Sequence, residues 1–222
     1  MKVKILPSLL AADFGTLRSE AVRAEESGAD ALHIDIMDAH FVPNLSMGPD
    51  VVKMADSAVR IPLSVHLMMS RPDKYLDVFI DAGADTLFVH AEVECDIAAM
   101  LEHIRNRGIR PGLTLNPETP AESVFPHLDN AEEILCMTVY PGYGGQKFMA
   151  EVIPKIEAVR QRSEIEQLKP DIMVDGGIDC ETAPLCAAAG ANAFVAGTSL
   201  YRAEDMSSMI SEMRRKASES LA

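Results

Sequence analysis

Ala31-Leu32-His33-Ile34-Asp35-Ile36-Met37 is an apolar run interrupted by an imidazole and a carboxylate two residues apart. In an extended strand, side chains at i and i+2 point the same way, so His33, Asp35 and Met37 share a face. Leu63-Ser64-Val65-His66-Leu67-Met68 repeats the pattern with His66 and Met68. Ile172-Met173-Val174-Asp175-Gly176-Gly177 repeats it with Met173 and Asp175. A lone strand His is most often a hydrogen-bonded core residue. Here an acid shares the face of His33, and His66 and Asp175 end similar runs. A buried Asp is costly unless hydrogen bonds or a cation satisfy it. Two imidazoles and two carboxylates from three strands suit one divalent metal ion with open coordination positions. The mixed nitrogen and oxygen set admits Zn, Fe(II), Mn or Co and does not choose between them. Strand ends facing a common centre are where an α/β barrel keeps its chemistry.

Outward from these runs, the same rhythm covers the chain. Strands are expected at Lys4–Ser8, Ala31–Asp35, Leu63–His66, Thr86–His90, Arg110–Leu115, Glu133–Thr138, Ile172–Asp175 and Ala193–Ala196. Helical patterns lie between and after them: Thr16–Ser27, Pro49–Asp56, Pro72–Ala82, Asp96–Asn106, a short Pro120–Pro126, Glu151–Ser163, Cys180–Ala189 and Asp205–Ser220. Gly28, Gly83, Gly108 and Gly190 stand where helices must stop before the next strand. The strands are nearly continuous in apolar residues, as expected when both faces are buried. Eight βα units in 222 residues predict an α/β fold, a (β/α)8 TIM barrel forming a single domain over residues 1–222. A doubly wound open sheet would gather its ligand at one switch point, whereas these candidate residues spread over strands two, three and seven.

Composition narrows the function classes. Apolar residues make up 48% and charged residues 24%, the balance of an ordinary globular protein. The net charge is −14, and no Lys/Arg cluster offers a phosphate-backbone footprint, so neither nucleic acid nor an anionic membrane is an expected partner. Cys95, Cys136, Cys180 and Cys186 lack CxxC spacing and read as reduced thiols of a cytoplasmic protein. Asp13 and Arg18 interrupt the N-terminal apolar run too early for a signal peptide. No stretch approaches the roughly 20 apolar residues of a membrane span. Size and acidity are compatible with a homo-oligomer, a dimer or hexamer, without locating an interface.

Gly-rich turns follow strands six, seven and eight: Pro141-Gly142-Tyr143-Gly144-Gly145-Gln146, Gly176-Gly177 and Gly197-Thr198-Ser199. Any one could be a plain tight turn. Three after successive last strands match the usual phosphate site of these barrels. Glycines let backbone N–H groups approach phosphate oxygens, and a helix start after Gly197 adds its dipole. Only Lys147, at the edge, is basic, so backbone dipoles would do most of the holding. Met37, Met68 and Met137 sit near strand ends and are either core filling or an apolar cap over reacting carbons. Ser8 is a turn hydroxyl or a substrate contact, while Asn44 and Asp38 read as turn caps.

These residues closely resemble ribulose-phosphate 3-epimerases, from Ile5-Leu6-Pro7-Ser8-Leu9-Leu10-Ala11-Ala12-Asp13-Phe14 to Val195-Ala196-Gly197-Thr198. The most specific pieces are His33-Ile34-Asp35-Ile36-Met37-Asp38, Phe41-Val42-Pro43-Asn44, His66-Leu67-Met68, Met137-Thr138-Val139, Pro141-Gly142-Tyr143-Gly144-Gly145-Gln146-Lys147-Phe148 and Val174-Asp175-Gly176-Gly177-Ile178. The resemblance implies that His33, Asp35, His66 and Asp175 hold one divalent metal ion. It makes Asp35 and Asp175 the catalytic acid/base pair and Ser8 and His66 substrate contacts. Gly142, Tyr143, Gly144, Gly145, Gly176, Gly177, Gly197 and Thr198 would grip the phosphate under a cap of Met37, Met68 and Met137. Tyr140, Met47 and Thr198-Ser199-Leu200-Tyr201 depart from the usual pattern and bear on which ketose phosphate fits.

The implied reaction inverts C3 of a phosphorylated ketose, D-ribulose 5-phosphate to D-xylulose 5-phosphate, by two-carboxylate proton transfer through an enediolate. D-allulose 6-phosphate is the alternative substrate. A non-catalytic sugar-phosphate-binding barrel would share the turns but has no need of two metal-bound acids. A metal-dependent hydrolase or aldolase on the same barrel stays open. A Schiff-base aldolase is disfavoured, because no strand is expected to end on a lysine.

Overall fold

The computed structural model describes residues 1–221. Eight parallel strands form one sheet: β1 (Lys4–Pro7), β2 (Leu32–Met37), β3 (Leu63–Met68), β4 (Thr86–His90), β5 (Arg110–Leu115), β6 (Glu133–Met137), β7 (Asp171–Asp175) and β8 (Ala193–Ala196). Around them lie α1 (Leu17–Glu26), α2 (Pro49–Asp56), α3 (Leu76–Asp81), α4 (Ile97–Asn106), α5 (Ile153–Ile165), α6 (Thr182–Ala188), the short α7 (Thr198–Tyr201) and α8 (Met206–Ser220). The sheet runs unbroken from β2 through β8 to β1. Between β1 and β2 the ring is joined more sparingly, by a Ser8–His33 bridge and by Asp30 N–H donating to the Ile5 carbonyl at 3.0 Å. The result is the (β/α)8 barrel that the strand rhythm predicts.

Strand register sets the site. Asp35 on β2 lies opposite His66 on β3, and Met37 opposite Met68. Met137 on β6 lies opposite Asp175 on β7. Both β2 and β3 extend two residues beyond the expected ends, which brings Met37 and Met68 into the ladder. Outward-facing residues such as Ile5, Ile34, Val65, Leu87 and Phe194 are buried between strands and helices. Inside the barrel, Leu6, Phe88, Leu135, Met173 and Val195 form an apolar middle layer. Gly112 makes room for it: a Cβ there would enter the ring of Phe88. Below this layer, Lys4 and Arg110 bond Asp171 at 2.6 and 3.0 Å, and Arg110 reaches Glu133 at 3.2 Å. Charges plug the N-terminal end of the barrel, leaving the C-terminal end for the site.

Several helices differ from expectation for definable reasons. The expected helix at Pro120–Pro126 is two 3-10 turns, Ala121–Ser123 and Phe125–His127, since Pro126 has no N–H to donate. The segment expected as helix at Pro72–Ala82 divides at Tyr75 (φ −124°) into a 3-10 turn and α3. The expected glycine stops hold: Gly28, Gly83, Gly108 and Gly190 all have positive φ. Among the described residues, no helix is long and apolar enough to cross a membrane.

Candidate active site

A cavity of about 470 Å³ opens at the C-terminal ends of the strands. Asp35 and Asp175 reach it from β2 and β7; Met37 and Met68 line it from β2 and β3, and Met137 lines it from β6 beside Asp175. His33 and His66 are fully buried behind Asp35. One ligand atom from each of His33, Asp35, His66 and Asp175 lies within 4.8 Å of all the others. Residues 142 amino acids apart in sequence thus meet because β2 and β7 end at one level of one barrel.

Each member is held by a specific neighbour. Ser8, just past β1, donates its hydroxyl to Asp35 Oδ2 at 2.6 Å. His33 Nδ1 contacts Ser64 Oγ at 3.0 Å, leaving Nε2 to face Asp35 Oδ1 at 3.4 Å. That approach lacks hydrogen-bond alignment, so His33 Nε2 is a buried polar atom without a partner. His66 Nδ1 stands 3.1 Å from the same carboxylate oxygen. Two ring nitrogens converging on one carboxylate oxygen, one of them orphaned in a buried site, form a donor set that a divalent cation would satisfy. A group of His and Asp residues able to hold a metal is therefore present in the barrel.

The two acids sit in opposed environments. Burial pushes the Asp35 carboxyl upward, but His33 and His66 outweigh it and hold Asp35 well below the usual carboxylate range. Burial and the Asp35 charge raise Asp175 to about 7, only partly opposed by His33. Burial holds His66 down, at about 4. Burial also disfavours charge on His33, yet Asp35, Asp175 and Glu133 together raise it. A bound cation would add positive charge and favour both carboxylates in their ionised form.

The glycine turns line the same cavity. Gly142, Tyr143, Gly144 and Gly145, then Gly176, Gly177, Gly197 and Thr198, all line it. Lys147 is its one basic lining residue among those described. Gly177 (φ +65°) has a second constraint, since a Cβ there would stand 2.5 Å from the Phe148 amide nitrogen. Gly144 has nothing within 4 Å of such a Cβ. Tyr143 turns its ring outward, donating its hydroxyl to the Pro43 carbonyl at 2.6 Å.

Two features escape a reading of sequence alone. Asn44 reads as a turn cap, yet its side-chain amide also donates to the Gly142 carbonyl at 2.7 Å, tying the loop after β2 to the loop after β6. Asp38 does cap its turn, accepting from the His40 and Phe41 amides at 2.8 Å. His90, at the end of β4, has its Nε2 2.8 Å from His66 Nε2 and its Nδ1 2.9 Å from Glu92 Oε2. The signal was the same i, i+2 pairing of imidazole and carboxylate that marks His33 and Asp35.

Comparison with known proteins gives a consistent answer. The model of the ribulose-phosphate 3 epimerase family matches residues 4–201. The chain is 44% identical over 214 residues to a ribulose-phosphate 3-epimerase of Bacillus subtilis, covering 96% of this chain and 98% of that one. It is 42% identical over 216 residues to a ribulose-phosphate 3-epimerase, cytoplasmic isoform, of Oryza sativa, covering 96% and 93%. Among solved structures, 3-keto-L-gulonate-6-phosphate decarboxylase from Vibrio cholerae superposes with a TM-score of 0.75 over all of both chains at 14% identity. A 3-hexulose-6-phosphate synthase from Salmonella typhimurium gives 0.70 over 98% and 99% at 15%. At such identities these two structures speak to the fold alone.

Proposed function

The chain belongs to the ribulose-phosphate 3-epimerase family, an isomerase-class epimerase acting on carbohydrates, and we propose that it inverts C3 of D-ribulose 5-phosphate to give D-xylulose 5-phosphate. The observation that carries this reading is the pair of carboxylates, Asp35 and Asp175, presented from β2 and β7 to one cavity. Inversion needs a proton removed from one face of C3 and another delivered to the opposite face. One carboxylate takes the first proton and the other supplies the second, with the roles exchanged in the reverse direction. Ser8 holds Asp35 in place through the bond to Oδ2. Met37, Met68 and Met137 present apolar side chains to the cavity that takes the reacting carbons and limit water there. The backbone at Gly144–Gly145, Gly176–Gly177 and Gly197–Thr198 anchors the phosphate, so that C3 lies between the acids.

His33, Asp35, His66 and Asp175 would hold one divalent ion, supported by the orphaned His33 Nε2 and the shared ligand distances. Such an ion would supply Lewis-acid stabilisation of negative charge developing on the C2 oxygen. A coupled assay on metal-replete protein, run side by side with ribulose 5-phosphate and allulose 6-phosphate, tests the assignment. Faster turnover of ribulose 5-phosphate is expected. Preference for allulose 6-phosphate would reassign the substrate, and no turnover of either would make the barrel a sugar-phosphate binder.

A further inference from the structure

The contacts of His90 are not accounted for by its place in the core. It is fully buried at the end of β4, and its ring meets that of His66 along the nitrogen edge. The Nε2 atoms are 2.8 Å apart while the ring centroids are 4.9 Å apart, with planes inclined by only 20°. This is the geometry of an in-plane N–H···N bond. On its far side, His90 Nδ1 lies 2.9 Å from Glu92 Oε2. Glu92 is itself fixed from the loop after β5, its Oε1 accepting from the Asn116 amide at 2.7 Å and from the Thr119 hydroxyl. Phe41 packs its ring 4.5 Å from that of His90 and closes the remaining side.

We propose that His90, oriented by Glu92, is a positioning residue that fixes the ring tautomer of His66 and thereby presents the bare Nδ1 of His66 to the metal site. This inference rests on the reading of His33, Asp35, His66 and Asp175 as the metal set. An ionised carboxylate only accepts, so the proton of a neutral His90 sits on Nδ1, facing Glu92. His90 Nε2 is then an acceptor, and His66 must donate to it from Nε2. That leaves His66 Nδ1 with a free lone pair, 3.1 Å from Asp35 Oδ1, where two acceptors face each other unless a cation lies between them. The Nδ1 of His33 likewise has a polar partner, Ser64 Oγ at 3.0 Å, although a hydroxyl can donate or accept. Partners of this kind, behind metal ligands, set tautomer and ring orientation, and their loss typically weakens metal affinity by about 10- to 100-fold.

The test loads the protein with Zn2+ and reads the imidazole nitrogens by two-bond 15N–1H correlation, with Zn2+ affinity measured by competition against a chromophoric chelator. Zinc-loaded wild type should show His66 protonated on Nε2 and His90 protonated on Nδ1. His90→Leu removes the acceptor and should weaken Zn2+ binding by about 10- to 100-fold, whereas His90→Gln keeps an acceptor oxygen and should retain most of the affinity. A packing role predicts the reverse order, since Leu suits an apolar layer better than Gln. Glu92→Ala, in a loop outside the barrel wall, should weaken binding in the same direction by less. It also carries the comparison if His90→Leu does not fold. The proposal is overturned if His66 in the zinc-loaded protein carries its proton on Nδ1. It is also overturned if His90→Leu, or Glu92→Ala in its place, binds Zn2+ as tightly as wild type. Failure of the metal reading looks different: zinc affinity of the wild type would be absent or indifferent to Asp175→Asn.

Discussion

In the proposed reaction Asp35 and Asp175 carry opposite demands, and their surroundings differ. Asp35 is almost fully buried and bonded by Ser8, while Asp175 has no comparable donor among its influences. Asp35→Asn or Asp175→Asn should lower turnover by at least the about 10²- to 10⁴-fold typical of a general acid or base. Metal content measured on the same samples separates a lost base from a lost ligand; near-normal turnover in either variant would remove that residue from the proton transfer. The glycine turns proposed to hold the phosphate call for a different probe. Gly177→Val would drive a side chain into the Phe148 backbone and upset the loop whatever it binds. Gly144 has open space around it, so Gly144→Val should raise KM for the phosphorylated sugar strongly while Lys147→Ala changes it much less. The opposite ranking would mean that a basic side chain, not the backbone, carries the phosphate. His33, Asp35, His66 and Asp175 were legible in sequence because strand parity alone puts them on inward faces. The role of His90 was not, because it depends on Glu92 being pinned by Asn116 and Thr119 from another loop.

At the scale of elements, the joint between β1 and β2 is the sparsely laddered part of the ring, and Asp30 reinforces it. Its Oδ2 accepts from the Ile5 amide at 3.0 Å and from Arg214 of α8 at 2.7 Å, while Oδ1 meets Lys2 at 2.9 Å. Burial raises its pKa, but these donors outweigh burial and lower it overall. A depressed folded-state pKa means that the stabilisation is present above the unfolded value, near 3.9, and is lost as the pH falls through the folded value. Asp30→Asn should therefore melt below wild type at pH 7, by about 1–3 kcal/mol. The gap should narrow as both are titrated below about pH 4. A gap that stays constant from pH 7 to pH 3 would show that the Asp30 charge contributes nothing to the joint. Strand positions were readable because each is a short apolar run bounded by glycine or a polar turn. Helix detail was less so: the breaks at Tyr75 and Pro126 follow from local backbone geometry and missing donors, not from the periodicity of apolar residues.

For the molecule as a whole, the barrel divides labour along its axis. A charged plug of Lys4, Arg110, Glu133 and Asp171 closes the N-terminal end. An apolar layer around Phe88 and Leu135 fills the middle, and acids, imidazoles and glycine turns occupy the C-terminal end. Alternation along eight strands made the inward faces predictable, and with them the level at which chemistry gathers. The ties between loops, Asn44 to Gly142 and Tyr143 to Pro43, depend on how two turns fold over the mouth, which no periodicity encodes. Proton exchange at C3 by two carboxylates, one on each face, is the central proposal. Its most direct test is to run the wild-type reaction in D2O and follow C3 by NMR through the first turnovers. Two carboxylates predict that xylulose 5-phosphate forms with deuterium at C3 while unreacted ribulose 5-phosphate keeps its protium. Product that retains the original C3 proton throughout would contradict it, since a single group would then be returning the proton that it removed.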